Sequence, residues 1–114
     1  MEILNAKIES ADLSMADHGC LTLRLTIVGK CWGFNFGGYC LGNGYLGADE
    51  FKGSAKGIEE IMRIMDVVGV ERFKDLEGKY VRVVSESCSA PIYKIGNIIE
   101  DKWFDYKEFY KDNG

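Results

Sequence analysis

Glycine and aromatic residues alternate in one short stretch of the chain, and this stretch limits what the chain can fold into. Nine of the 14 glycines lie between Gly29 and Gly57, interleaved with tryptophan, phenylalanine and tyrosine. Glycine loses more conformational entropy on folding than any other residue, so ordering this stretch is costly. It also permits positive-φ turns and lets a backbone or a ligand approach a strand closely. The stretch therefore indicates either irregular turns between short strands or a bare platform that suits a planar, polar ligand.

The length of the chain predicts a single domain over residues 1–114. With 46% hydrophobic residues, 28% charged residues and one proline, the composition is that of a folded protein. A chain this short buries only about two thirds of its unfolded surface, so its core is modest. We therefore expect self-association to contribute to its stability.

The charge balance excludes one class of partner. The chain carries 14 basic and 18 acidic residues, a net charge of −4, whereas general DNA or RNA binders have a basic face. A small anionic ligand stays compatible, because two or three well-placed arginines or lysines bind it. No apolar run approaches the roughly 18 residues that cross a membrane. We expect neither long nucleic acid nor a membrane as partner.

The cysteines and the single histidine do not form a metal-binding pattern. Cys20, Cys31, Cys40 and Cys88 include no CxxC pair and no zinc-ribbon spacing, and His18 lies in a turn sequence. Residues 1–10 are mixed and polar, unlike a signal peptide. The sequence therefore predicts reduced thiols in a cytoplasm, with no metal and no cofactor.

Alternating apolar residues predict three strands in the first part of the chain. The strands cover residues 2–10, 20–28 and 31–41, and residues 14–19 between the first two read as a loop. In the third strand Trp32, Phe34 and Phe36 share the face that we expect to cover the core. The opposite face, with its glycines, lies on the same side of the sheet as Arg24 and Lys7.

The second part begins with the one strong helix signal, over residues 54–69. Ser54 is the expected N-cap and Gly69 the stop signal. A stripe of isoleucine, methionine and valine at helical spacing is expected to face the core: Ile58, Ile61, Met62, Met65 and Val68.

A short helical turn over residues 71–78 follows, then strands over 79–86 and 91–100 and an aromatic tail. The predicted fold is α+β: an N-terminal antiparallel sheet, one main helix plus a short helical turn, and a smaller C-terminal antiparallel sheet. We expect two small sheets at either end of the helix rather than one large sheet.

The chain contains few residues suited to catalysis. The GxSxG, HExxH and P-loop patterns are absent. Glu59 and Glu60 are neighbours on different faces of the predicted helix, so they do not form a carboxylate pair. The sequence predicts a protein that is not an enzyme.

Residues suited to binding gather near the C-terminal strands. Arg82 provides a fork for phosphate, Lys94 a point charge, and Asn97 a donor and an acceptor for a base edge. Gly96 permits close approach of a ligand, and Trp103 follows as a ring on which a base can stack. The alternative is a half-exposed strand with ordinary surface charges.

The whole pattern resembles a known family. The segments KIESADLSMADHGCLTLRL, WGFNFGGYCL, GIEEIMRIMDVVGVERFKDLEGKYVRV and YKIGNIIEDKWF resemble, in the same order, those of the phage Thoeris anti-defence sponges of the first type. The resemblance implies a protein that binds and sequesters glycocyclic ADP-ribose immune signals without degrading them. It acts in the cytoplasm of the host bacterium during phage infection and so blocks Thoeris immunity.

The resemblance also implies partners and site residues. Members of this family form homodimers, often assembled into hexamers as trimers of dimers, with pockets where protomers meet, and some also hold cyclic trinucleotides. The segment IGN implies that Asn97 contacts the ligand, and Arg24 is the candidate for a second site between dimers. Together with the residues singled out above, the candidate ligand-binding residues are Arg24, Lys30, Phe34, Phe36, Arg82, Lys94, Asn97 and Trp103.

Residues 42–52 and 86–91 depart from the family pattern, so the resemblance assigns no ligand contacts to those loops. A hypothesis of another class competes with the sponge. A small, acidic phage protein with an aromatic tail also fits an inhibitor that docks directly on a host defence enzyme.

Overall fold

The computed structural model describes residues 2–17, 19–30, 32–44, 47, 49–85 and 92–111, with only the backbone of 16–17 and 38–39. The predicted class, α+β, is confirmed. The elements in chain order are β1 (Glu2–Asp17), β2 (Cys20–Val28), β3 (Gly33–Asn43), β4 (Lys52–Gly53), helix α1 (Ala55–Val68), a 3₁₀ turn (Phe73–Leu76), β5 (Tyr80–Ser85), β6 (Lys94–Asn97), β7 (Trp103–Asp105) and helix α2 (Tyr106–Tyr110).

The strands form one seven-stranded sheet in the order β4-β3-β2-β1-β5-β6-β7, and all neighbours are antiparallel. The smaller C-terminal group, β5 to β7, is present, but the expectation of two separate sheets is wrong. The physical reason is the length of β1, which has 16 residues and includes most of the predicted loop at 14–19. Its first part pairs with β5 and its second part with β2, so it joins the two groups.

One face of the sheet, here called the inner face, carries the core. Buried side chains from six strands meet Ile64 and Val67 of α1 there: Ala6, Ile8, Leu23, Leu25, Ile27, Phe36, Val81, Val83, Ile95 and Phe104. Because side chains alternate along a strand, the residues between these point to the opposite face, here called the outer face. The outer face carries the polar side chains of β1, β2, β3 and β5.

Helix α1 begins and ends as predicted. The Ser54 hydroxyl accepts a hydrogen bond from the Gly57 N–H at 3.0 Å, and Gly69 closes the helix with a φ of 90°. The predicted core-facing stripe is partly wrong. Ile61, Met65 and Val68 pack against the core, but Ile58 is 52% exposed and Met62 is 63% exposed. The buried face of the helix is shifted by about one position and includes Glu60. Neither helix in the described part of the chain is long and apolar enough to cross a membrane.

The turn after β6 is held against the end of α1 by one asparagine. The Asn97 Nδ2 donates to the Val67 carbonyl oxygen at 2.8 Å. Its Oδ1 accepts from the N–H groups of Ile99 and Glu100 at 2.9 and 2.8 Å. One buried side chain therefore satisfies a carbonyl in the last turn of α1 and two donors of the next turn.

We expect Asn97→Ala to destabilise the fold by about 1–3 kcal/mol, because it leaves a buried carbonyl and the turn N–H groups without these bonds. Urea denaturation of the variant and the parent measures the difference. Asn43→Ala is the control, since Asn43 is exposed on β3. Equal unfolding midpoints for Asn97→Ala and the parent would contradict this role.

Candidate functional site

The predicted site residues are divided between the two faces of the sheet. Arg24, Arg82, Lys94 and Trp103 lie on the outer face, and Lys30 lies in the turn between β2 and β3. Phe34, Phe36 and Asn97 lie on the inner face. Phe36 is 1% exposed, and its ring packs against Phe104 and Tyr106 at centroid distances of 6.3 and 5.9 Å. In this fold its ring is part of the core and is closed to a ligand.

Arg82 and Lys94 meet around Trp103 on the outer face, whereas Asn97, which was expected to join them in one patch, lies on the inner face. Gly96 pairs with Arg82 on one side and with Trp103 on the other. The Trp103 ring lies directly over Gly96, where a Cβ would come within 2.4 Å of the ring. The Arg82 guanidinium carbon is 4.8 Å from the centroid of the ring and the Lys94 Nζ is 5.4 Å from it. Both distances permit cation–π attraction.

The hydrogen bonds of Arg82 give it a structural task. Its Nε donates to the Asn97 carbonyl oxygen at 2.7 Å, and its Nη2 donates to the Glu100 carbonyl oxygen at 2.8 Å. The rigid fork expected to bind phosphate thus holds the turn after β6. The Trp103 indole N–H donates to the Asp101 carboxylate at 2.8 Å. In this group of Arg82, Lys94 and Trp103, here called the Trp103 cluster, most of the polar groups therefore already bind partners within the protein.

A more open site lies beside this cluster on the outer face. It is a groove of about 280 Å³ where β1, β5 and the β2–β3 turn meet, here called the lysine groove, and it is lined by Asn5, Ala6, Lys7, Val28, Gly29, Lys30 and Tyr80. Lys7 is opposite Val28 on one side and Tyr80 on the other. The Tyr80 residue is 61% exposed. Two ammonium groups, a phenol ring and an amide therefore line one concave surface.

The cations of the lysine groove are available to an external anion. Neither Lys7 nor Lys30 forms an ion pair with any residue that the structure describes. The backbone of Gly29 lies against the Trp32 ring, where a Cβ would come within 2.1 Å of the ring. The Trp32 ring therefore occupies the space that a side chain at position 29 would fill.

Sequence reasoning found Lys30 but missed Asn5, Lys7 and Tyr80 as members of one site. The alternation in β1 already placed Lys7 on the polar face. Its pairing with Tyr80 joins residues more than seventy positions apart in the chain, and no local pattern indicates such a contact.

Arg24 lies apart from the lysine groove. It is exposed on the outer face, opposite Asp12 of β1 and Gly37 of β3. Along β2 it is four residues from Val28, which corresponds to about 13 Å of strand. The structure therefore does not bring Arg24 together with Lys30.

Glu60 is a fully buried carboxylic acid between α1 and α2, with 0% exposure. The Tyr110 hydroxyl donates to its Oε1, whereas its Oε2 has no hydrogen-bond partner among the described residues. Burial raises the pKa of the Glu60 carboxyl, and the hydrogen bond from Tyr110 opposes this in part. Two aromatic residues of the tail, Tyr106 and Phe109, pack here on the chain's own core.

No metal-binding cluster of three histidine, cysteine, aspartate or glutamate residues occurs within the described ranges. Cys20 and Cys40 are half-buried. His18, Cys31 and Cys88 lie outside the described residues. No protein-family model, no curated protein and no solved structure matches this chain. The resemblance to the sponge family therefore stays a prediction.

We expect Glu60→Gln to flatten the dependence of stability on pH. The raised pKa means that the folded protein holds this proton more tightly than the unfolded chain does. The stabilisation that the protonated Glu60 contributes is therefore fully present below the ordinary pKa of 4.5. It is lost as the pH rises through the pKa of Glu60 in the folded protein. The amide of the variant cannot titrate, so the loss of unfolding free energy between acidic and neutral pH should shrink.

Denaturant unfolding at several pH values measures this effect. Glu59→Gln is the matched control, because Glu59 is a partly exposed neighbour paired with Arg63 at 2.6 Å. An identical pH profile for Glu60→Gln and the parent would show that Glu60 ionises as freely as a surface residue.

Proposed function

We propose that this protein binds and sequesters a small nucleotide-like anion on the outer face of its sheet, without degrading it. The observation that carries the proposal is the lysine groove, where Lys7, Lys30 and the exposed Tyr80 ring line one cavity of about 280 Å³. Lysine ammonium groups bind phosphate oxygens as point charges. A tyrosine ring stacks on a base for about 1–3 kcal/mol.

The resemblance to the Thoeris anti-defence sponges supports a more specific ligand. Glycocyclic ADP-ribose has a pyrophosphate, two riboses and an adenine, so it offers two anionic phosphates to the two lysines and a planar base to Tyr80. The Asn5 amide supplies a donor and an acceptor for a ribose or base edge. On this proposal the protein is a phage counter-defence protein of the host cytoplasm that works as a homodimer or a larger assembly.

We expect Lys7→Gln and Lys30→Gln each to weaken binding of glycocyclic ADP-ribose about tenfold or more, since a hydrogen bond to a charged group is worth about 1.5–3 kcal/mol. Calorimetric titration measures the affinity. Lys52→Gln, on β4 and outside the lysine groove, is the control. If Lys94→Gln weakens binding and the two groove variants do not, the ligand binds at the Trp103 cluster instead.

We also expect the bound signal to be returned unchanged. Incubation of the protein with glycocyclic ADP-ribose, followed by heat denaturation and chromatography, should recover the intact cyclic compound in full. Linear ADP-ribose that accumulates with incubation time would identify the protein as an enzyme and refute sequestration.

A second candidate function is inhibition of a host enzyme by direct docking. The observation that favours it is an exposed apolar area beside α1, where Ile58, Met62 and Phe51 are 52%, 63% and 59% exposed. One experiment distinguishes the two functions. Protein purified from infected cells releases a nucleotide-like absorbance on denaturation if it is a sponge, and retains a host protein if it is a docking inhibitor.

A further inference from the structure

Among the residues that the structure describes, strand β3 has no pairing partner along most of one edge. Strand β2 pairs with one side of β3, whereas β4 on the other side pairs only with Gly42 and Asn43. Over the first part of β3, Gly33 and Asn35 are exposed, and no described strand lies against that side. The sheet therefore ends in an edge that can accept another strand.

The hairpin between β2 and β3 determines which backbone groups point to this edge. The Gly29 N–H donates to the Trp32 carbonyl oxygen at 2.9 Å, so Gly29 and Trp32 form a hydrogen-bonded pair. In an antiparallel ladder such pairs alternate with pairs whose backbone groups point away from each other. The register Val28–Gly33 and Thr26–Asn35 places Gly33 and Asn35 in the second kind. Their N–H and C=O groups point to the open edge.

The sequence lacks two of the usual protections of a sheet edge. Protein edges are commonly guarded by charged residues or proline, and residues 32–44 contain neither. One feature limits the usable length. Gly37 has a φ of 109° and lies where the β2–β3 register is irregular. Regular pairing is therefore confined to the segment from Gly33 to Gly37.

This segment is a palindrome, Gly33-Phe34-Asn35-Phe36-Gly37. From the open edge and the palindrome we propose that β3 pairs with β3 of a second copy, antiparallel, across a two-fold axis at Asn35. In that register Asn35 exchanges two backbone hydrogen bonds with the partner's Asn35. Glycine faces glycine on the outer face, and phenylalanine faces phenylalanine on the inner face. A two-fold interface requires a self-complementary surface, and a palindromic strand supplies one.

The charge distribution permits a second copy at this edge. Each chain carries a net charge of −4, so two copies repel each other in general. The paired segment is uncharged, so it brings no like charges face to face. A five-residue strand contact is smaller than the roughly 1,200–2,000 Å² of a standard interface, so we expect a dimer that dissociates on dilution in the micromolar range. The inference specifies the interface of the self-association in the proposed function, and it does not depend on the ligand.

The test uses opposite charges at the two-fold axis. Asn35→Lys and Asn35→Glu each place like charges opposite each other, so sedimentation velocity should show each variant as a monomer at concentrations where the parent is a dimer. An equimolar mixture of the two variants should restore the dimer. Ser10→Lys is the matched control, because Ser10 lies in the same row of the outer face on the interior strand β1.

Hydrogen exchange on the parent protein tests the same interface without a substitution. The Asn35 amide should be protected at high protein concentration and exchange rapidly after dilution. A parent that stays monomeric, or variants that dimerise as the parent does, would overturn the proposal. Variants whose mixture stays monomeric would overturn the register about Asn35. Calorimetry with glycocyclic ADP-ribose on the monomeric variants reports separately on the proposed function.

Discussion

The pairing of β1 with two different partners is the constraint on which the rest of the structure depends. Its first residues bond to β5 and its later residues to β2, so a single strand joins the N-terminal and C-terminal groups into one sheet. Helix α1 then has one continuous inner face to cover. The lysine groove exists for the same reason, because it lies where Lys7 of β1 meets Tyr80 of β5 and the β2–β3 turn. Without this double pairing of β1, the residues that line the lysine groove would belong to separate sheets.

The elements with local signals were predictable from the sequence. Ser54 and Gly69 bound α1 because a cap and a stop depend on residues a few positions away. The alternation in β2 likewise placed Leu23, Leu25 and Ile27 in the core. The continuity of the sheet was not predictable, since it depends on pairing between distant residues. The polar segment at 14–17 extends β1 because β2 lies beside it, although its own composition favours a turn.

The candidate site was likewise predictable from the sequence only in part. The sequence grouped Arg82, Lys94 and Asn97 because they lie on strands that are close in the chain. Arg82 and Lys94 do lie together beside Trp103, but Asn97 points to the inner face. The sequence could not tell whether a polar side chain binds a ligand or its own backbone. Asn97 and Arg82 have the chemistry to contact a nucleotide, yet both hold the turn after β6. Lys7 and Lys30, whose types are common on surfaces, are the cations that line the groove proposed to hold an anion.

The groove and the open edge occupy different parts of the molecule, and this bears on how a ligand would bind to the proposed dimer. The lysine groove lies on β1, β5 and the end of β2, whereas the open edge is the far side of β3. Pairing two chains through β3 would leave both grooves on the outer face of one continuous sheet, facing solvent. Each groove could then fill independently of the other. In the proposed dimer every chain would offer a site whether or not its partner is occupied, unlike the pockets between protomers that the family resemblance implies.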